Sequence, residues 1–271
     1  MNVYSYIYKK EVDVGCVSSA LKLIPVSHQF ELDDLTRECL LTLGSNVSTK
    51  NVLQILTFLR KPQYSSILIG KEENIFDQII LKCYSILDSN SEQIFKCESF
   101  NCLDQEFLIQ ILTRDSLDCN EIVVFDSLVR WANQQCLKQR RPLTPENKRD
   151  VLGKALYSPR YLLMTLDQFM RGPYSTDILT DQEKFLLLAK LQSRIDGRTE
   201  YDSINLPNYL LEFKLDSPRT GSKNLNSVVP SNRVDSSSQT TKDDSKMKKT
   251  VMKRFTTALS SILISVIQIL D

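Results

Sequence analysis

Seven cysteines (Cys16, Cys39, Cys83, Cys97, Cys102, Cys119 and Cys136) and a single histidine, His28, are the residues best suited to metal or redox chemistry in this chain. Zinc asks for clustered Cys and His ligands, and no two cysteines here are spaced as C-x-x-C. Most of them fall where a helical pattern wants an apolar side chain. That predicts buried, reduced thiols and a cytoplasmic protein, with the nucleus as a second reducing home. The acid pairs Asp33-Asp34 and Asp243-Asp244 have the residue type of general acid–base catalysts, but such pairs are common on solvated surfaces. The sequence has no phosphate loop, no G-x-S-x-G, no H-E-x-x-H and no Gly-rich dinucleotide turn. Catalytic, metal-binding and cofactor-binding residues are therefore expected to be none, and the chain is not read as an enzyme.

Charge points the same way for nucleic acid. Lys plus Arg is 34 and Asp plus Glu is 33, a net charge of +1. That balance gives no general attraction for a polyanion. The basic run Lys138, Arg140, Arg141 has no interleaved aromatics for base stacking and reads as a solvated helix end. Asn46-Val47-Ser48 fits the glycosylation pattern, but Met1 to Glu11 has no continuous apolar run of the kind a signal peptide needs.

The elements that would position these residues are helical. Glycine is scarce at 7 of 271 residues, which disfavours tightly turned sheets. Val17, Ala20, Leu21 and Ile24 recur at helical spacing, and Pro25 is expected to stop that helix. Leu32, Leu35, Cys39 and Leu43 form a second apolar face, with Gly44 at the expected C-cap. Further stripes follow. They run through Val52, Leu53, Leu56 and Leu59, then through Ile75, Phe76, Ile79, Ile80, Cys83, Ile86 and Leu87. The next joins Leu103, Phe107, Ile111 and Leu112, and the last joins Ile122, Phe125, Val129, Ala132 and Cys136. Phe107, Phe125 and Trp131 are the expected core anchors, because large aromatics dominate core energetics. Thr144 with Pro145 predicts a helix start, and Thr165/Gln168 and Thr180/Glu183 each predict a capping box. Gly172-Pro173 should end the helix between those two boxes. Pro62 and Gly70 predict a loop from about Lys61 to Asn74. The expected fold class is all-α.

Composition changes near the end. From Asp216 to Lys249 the chain is rich in Ser, Asn, Asp, Lys and Thr and lacks aromatics, which predicts disorder. Phe255–Leu270 is uncharged and follows Lys246, Lys248, Lys249, Lys253 and Arg254. Ala258, Leu259, Ile262, Leu263, Val266, Ile267 and Leu270 gather on one helical side. Residues 251–271 are thus a candidate partner-docking helix, or a helix that lies on an anionic membrane. The run is slightly short of the ~20 residues that a span requires.

Residues 93–136 read Q-I-F-K-C-E-S-F-N-C-L-D-Q-E-F-L-I-Q-I-L-T-R-D-S-L-D-C-N-E-I-V-V-F-D-S-L-V-R-W-A-N-Q-Q-C. With its Phe-x-x-Leu, I-L-x-R-D-x-L, Glu-x-x-x-Phe and R-W-A, this stretch closely resembles the core of a BACK domain. Residues 142–183 are similar to the animal subfamily that joins BTB, BACK and PHR domains. Residues 3–43, with Y-I-Y near the start and L-T-R-E-C-L at the end, resemble the last helices of a BTB domain. The resemblance implies four segments: 1–44 as the C-terminal part of a BTB/POZ domain, 45–192 as BACK, 193–250 as a largely disordered linker, and 251–271 as the C-terminal helix. It also implies a substrate adaptor that binds cullin-3 and an unknown protein substrate for ubiquitin transfer by a partner RING protein. Tyr6, Tyr8, Val52 and Leu56 are the protein-binding residues expected on that basis. The alternative from another class is a tail-anchored or membrane-surface helical scaffold with no ligase role. The front half of a BTB domain and a PHR domain lie outside the sequence, so the expectation is a mainly monomeric chain that binds cullin-3 more weakly than a complete family member.

Overall fold

The computed structural model describes residues 14–62, 73–196 and 207–221. Among these, all regular structure is helical. The described residues fall into two compact units, one of residues 14–119 with 219–221 and one of residues 120–218.

The first unit opens with helices α1 (Val17–Gln29) and α2 (Asp33–Ser45), packed on each other through Ala20, Ile24, Leu35, Cys39, Leu40 and Leu43. Pro25 does not stop α1, which runs on to Gln29. The lost backbone bond is offset by the packing of the following turn. Ser27 Oγ bonds the Ile24 carbonyl and lies 2.7 Å from Thr36 Oγ1 of α2, and the Leu32 amide donates to the Ser27 carbonyl. Gly44 is not a cap either, for α2 continues to Ser45. The glycine instead admits helix α4 (Glu73–Ser89): a Cβ on it would stand 3.3 Å from Ile79 Cγ1, and Lys82 Nζ donates to its carbonyl at 2.6 Å.

Helix α3 (Val52–Leu59) lies against α4 and buries Val52, Leu53, Ile55, Leu56 and Leu59. On α4 the buried stripe is Phe76, Ile79, Cys83 and Leu87, with Ile75, Ile80 and Ile86 half-buried. Short α5 (Ser91–Phe95) leads through a 3-10 turn at Glu98–Cys102 to α6 (Gln105–Leu112), and Phe95 of α5 meets Phe100 of the turn with centroids 4.9 Å apart. The α6 start is capped by Asp104, whose Oδ1 accepts from the Phe107 amide at 2.8 Å.

The second unit is built around α7 (Glu121–Lys138). Its inward face carries Val124, Phe125, Leu128, Trp131, Ala132 and Cys136, while Ile122 and Val129 are half-buried. The burial is thus turned slightly from the expected stripe, toward the wide ring of Trp131. Helices α8 (Pro145–Leu152), α9 (Leu166–Arg171) and α10 (Asp181–Asp196) follow, with 3-10 turns at Gly153–Tyr157 and Tyr161–Leu163. Each expected start is formed. The Thr144 side chain accepts from the Asn147 amide, and both reciprocal bonds of the Thr165/Gln168 and Thr180/Glu183 boxes are present. Gly172 ends α9, where a Cβ would stand 2.5 Å from Ile122 Cδ1.

The linker expected from residue 193 and the disorder expected from Asp216 begin too early. Helix α10 runs through Asp196, and residues 207–221 are folded, with a short helix α11 (Asn208–Leu211) and with Leu210, Leu215 and Arg219 buried. The Leu162 amide donates to the Leu215 carbonyl at 3.1 Å. The expected loop at 61–74 falls mostly on residues outside those described, and its last residues, Glu73 and Asn74, already belong to α4.

Candidate protein-interaction surface

In the first unit, α3 is fixed at its C-terminal end by one residue. The Arg60 guanidinium reaches Asp104 Oδ2 at 3.3 Å and lies 4.1 Å from the centre of the Phe107 ring. Asp104 therefore serves both the Phe107 amide of α6 and Arg60, the C-cap residue of α3, where a cation also favours the helix dipole. A second clamp holds α4. Arg114 makes a two-pronged pair with Asp88, at 2.8 and 2.7 Å, and covers the Tyr84 ring at 4.1 Å. Planar, two-pronged pairing is what distinguishes arginine from lysine.

These clamps set which side chains face outward. Val52 and Leu56, expected at a partner surface, point into the core and hold α3 in place. The outward row of α3 begins with Gln54, and Thr57 is half-exposed. Tyr6 and Tyr8 lie outside the described residues. Three large apolar side chains of this unit are instead open: Phe30 just past α1, Leu41 on α2 and Leu81 on α4, at 57, 52 and 70% exposure. Sequence reasoning missed Leu81 because the α4 pattern is apolar on more than one side. Phe107, Phe125 and Trp131 are buried, at 0, 1 and 3% exposure.

The strongest electrostatic site lies in the second unit, at Glu183. Its side chain has no exposure. Its carboxylate accepts from both Arg149 Nη atoms at 2.8 and 2.9 Å, from Tyr157 Oη at 2.7 Å, from Tyr209 Oη at 3.2 Å and from the Thr180 amide at 2.8 Å. Burial disfavours the charge, but these donors outweigh it and hold the carboxyl down at about 2. A carboxylate kept ionised, with its lone pairs occupied, has no proton to give and no vacancy to accept one. The arrangement is a structural clamp that anchors Arg149, the Tyr157–Tyr209 ring pair and helix α10. Glu121 has a comparable role: its Oε2 accepts from the buried Arg160 amide at 2.9 Å.

The cysteines form no disulfide. Burial raises the Cys39 and Cys83 thiols to about 12, so they stay protonated, while Cys119 and Cys136 are also buried. Cys16 and Cys102 are exposed, and a bond from Ser19 lowers the Cys16 thiol. Among the described residues no group of His, Cys, Asp and Glu could hold a metal ion, and no helix is long and apolar enough to cross a membrane. Residues 251–271 are outside that description.

The model of the BACK family (BTB And C-terminal Kelch) matches residues 70–146. BTB/POZ domain-containing protein 6 of Xenopus laevis is 32% identical over 180 residues, which is 66% of this chain and 31% of that protein. Residues 70–146 thus match a BACK domain, and the chain is similar to BTB/POZ domain-containing proteins. Human BTB/POZ domain-containing protein 6 is 30% identical over 180 residues. Human BTB/POZ domain-containing protein 3 is 33% identical over 178 residues, 66% of this chain and 32% of its own length. The chain spans about a third of the curated relatives it matches. No solved structure matches. Several BACK-like motif residues now have a physical role. Arg114 of I-L-T-R-D-S-L is the clamp on Asp88 and Tyr84, Glu121 holds the Arg160 amide, and Trp131 of R-W-A fills the core.

Proposed function

We propose that the chain is a protein–protein interaction adaptor that engages cullin-3 and presents a protein substrate for ubiquitin transfer, with no catalytic residues of its own. The observation that carries this reading is the BACK match together with its BTB/POZ relatives. Support comes from the first unit, where Phe30 just past α1, Leu41 on α2 and Leu81 on α4 are left open to solvent. Aromatic and aliphatic side chains standing out of a fixed helical surface are what helical docking uses for anchors. In this reading Val52 and Leu56 support the surface from behind, and Tyr6 and Tyr8 are proposed as further partner-binding residues. The substrate is bound elsewhere on the helical units, in a cytoplasmic setting.

Pull-down of cullin-3 by the full chain, with Leu41→Asp and Leu81→Asp variants alongside, tests the reading. Capture by the parent chain and loss in both variants is expected. Equal capture by all three would remove the proposed surface, and no capture by the parent chain would remove the cullin role.

A further inference from the structure

Within the first unit, residues 219–221 pack on the loop that follows α6. Arg219 is 2% exposed, and its Nη1 donates to the carbonyls of Leu112 at 2.9 Å and Arg114 at 2.6 Å. The Thr220 amide donates to the Asp115 carbonyl at 2.7 Å, and Thr220 Oγ1 lies 3.2 Å from the same oxygen. Gly221 is pressed on the following residue: a Cβ there would stand 2.0 Å from the Ser116 carbonyl oxygen. The receiving notch is thus a row of carbonyls, from the last turn of α6 through Ser116. Carbonyls at a helix C-terminus lack intrahelical partners and carry the negative end of the dipole.

We infer that this notch is a recognition site for an Arg-x-Gly peptide, filled here by the chain's own residues 219–221. A helix cap would ask only for a cation. This site reads three features in succession: a guanidinium in a buried slot, a backbone N–H that meets the Asp115 carbonyl, and a residue without a side chain where the peptide meets Ser116. The middle side chain is exposed and goes unread, since Thr220 faces solvent apart from its hydroxyl contact. Nothing in the recognition depends on the peptide being tethered. An arginine–glycine segment of another protein fits the same slot once the internal one leaves. The inference stands independently of cullin binding, because none of these residues belongs to α1 to α4.

Fluorescence anisotropy tests it, with a labelled peptide Ser-Pro-Arg-Thr-Gly-Ser-Lys-Asn, the sequence of residues 217–224, against the full chain. The Arg219→Ala chain, whose own segment cannot fill the slot, binds the peptide saturably. The parent chain binds it at least tenfold more weakly, because a tethered competitor acts at an effective concentration on the order of millimolar. Peptides with Ala for the arginine or Val for the glycine lose at least tenfold on the Arg219→Ala chain, the scale of a lost charge-assisted bond. Absence of saturable binding, or equal binding of the altered peptides, overturns the inference. Circular dichroism checks that the variant keeps its helices, and a Gly221→Val chain replaces it if it does not. One measurement needs no variant. In the parent chain the Thr220 amide should exchange at least tenfold more slowly than in the free peptide, and excess peptide should speed it. Exchange at the free-peptide rate from the outset would equally overturn the site.

Discussion

Replacing Glu183 by Gln removes the one charge on which Arg149, Tyr157, Tyr209 and the Thr180 amide converge. The folded carboxyl titrates at about 2 against an ordinary 4.5. That difference, at ~1.4 kcal/mol per pH unit, is worth ~3 kcal/mol of folding stability at neutral pH. The sign follows from the direction. A depressed pKa means that the unfolded chain binds the proton first. The stabilisation is therefore complete above about pH 5 and is lost as pH falls toward 2. The Gln variant cannot titrate there. Its deficit relative to the parent chain should be ~3 kcal/mol at pH 7 and should shrink steadily below pH 5. Urea unfolding followed by the fluorescence of Trp131 measures this, because the sole tryptophan of the chain lies in the same unit as Glu183. A deficit that stays constant from pH 7 to pH 2.5, or one below ~1 kcal/mol at pH 7, would refute the clamp.

Trp131→Ala should lower the stability of the second unit by about 3–5 kcal/mol, read from urea midpoints by circular dichroism. Arg114→Lys should not restore what Arg114→Ala removes, since an ammonium cannot make the two-pronged pair with Asp88 and cover Tyr84 at once; melting temperatures of the two variants should lie close together. Iodoacetamide at pH 7.5 should label Cys16 and Cys102 in the native chain and leave Cys39 and Cys83 unmodified until urea is added, as mass spectrometry of digests would show.

Local signals in the sequence located most helices. The threonine caps at Thr144, Thr165 and Thr180 act over three or four residues, and each appears in the structure where it was expected. Pro25 and Gly44 went otherwise because tertiary contacts decide them: the Ser27–Thr36 bond carries α1 past the proline, and the approach of Ile79 asks for the glycine. The outward direction of α3 was not legible, since Val52 and Leu56 belong to a helix that is apolar on most sides. Pairings far apart in sequence left no mark, Arg149 with Glu183 and Arg219 with Leu112 among them. The folded stretch 207–221 had a faint signal in Tyr209, Leu210, Phe213 and Leu215, an apolar cluster beside a polar run.

The adaptor reading meets its most direct test in calorimetric titration of the full chain with the N-terminal domain of cullin-3. Saturable 1:1 binding is expected, weakened at least tenfold by Leu81→Asp, the loss typical of a central anchor, and unchanged by Arg219→Ala. Absence of any binding heat from the folded parent chain, or identical binding by the Leu81→Asp chain, would contradict the account.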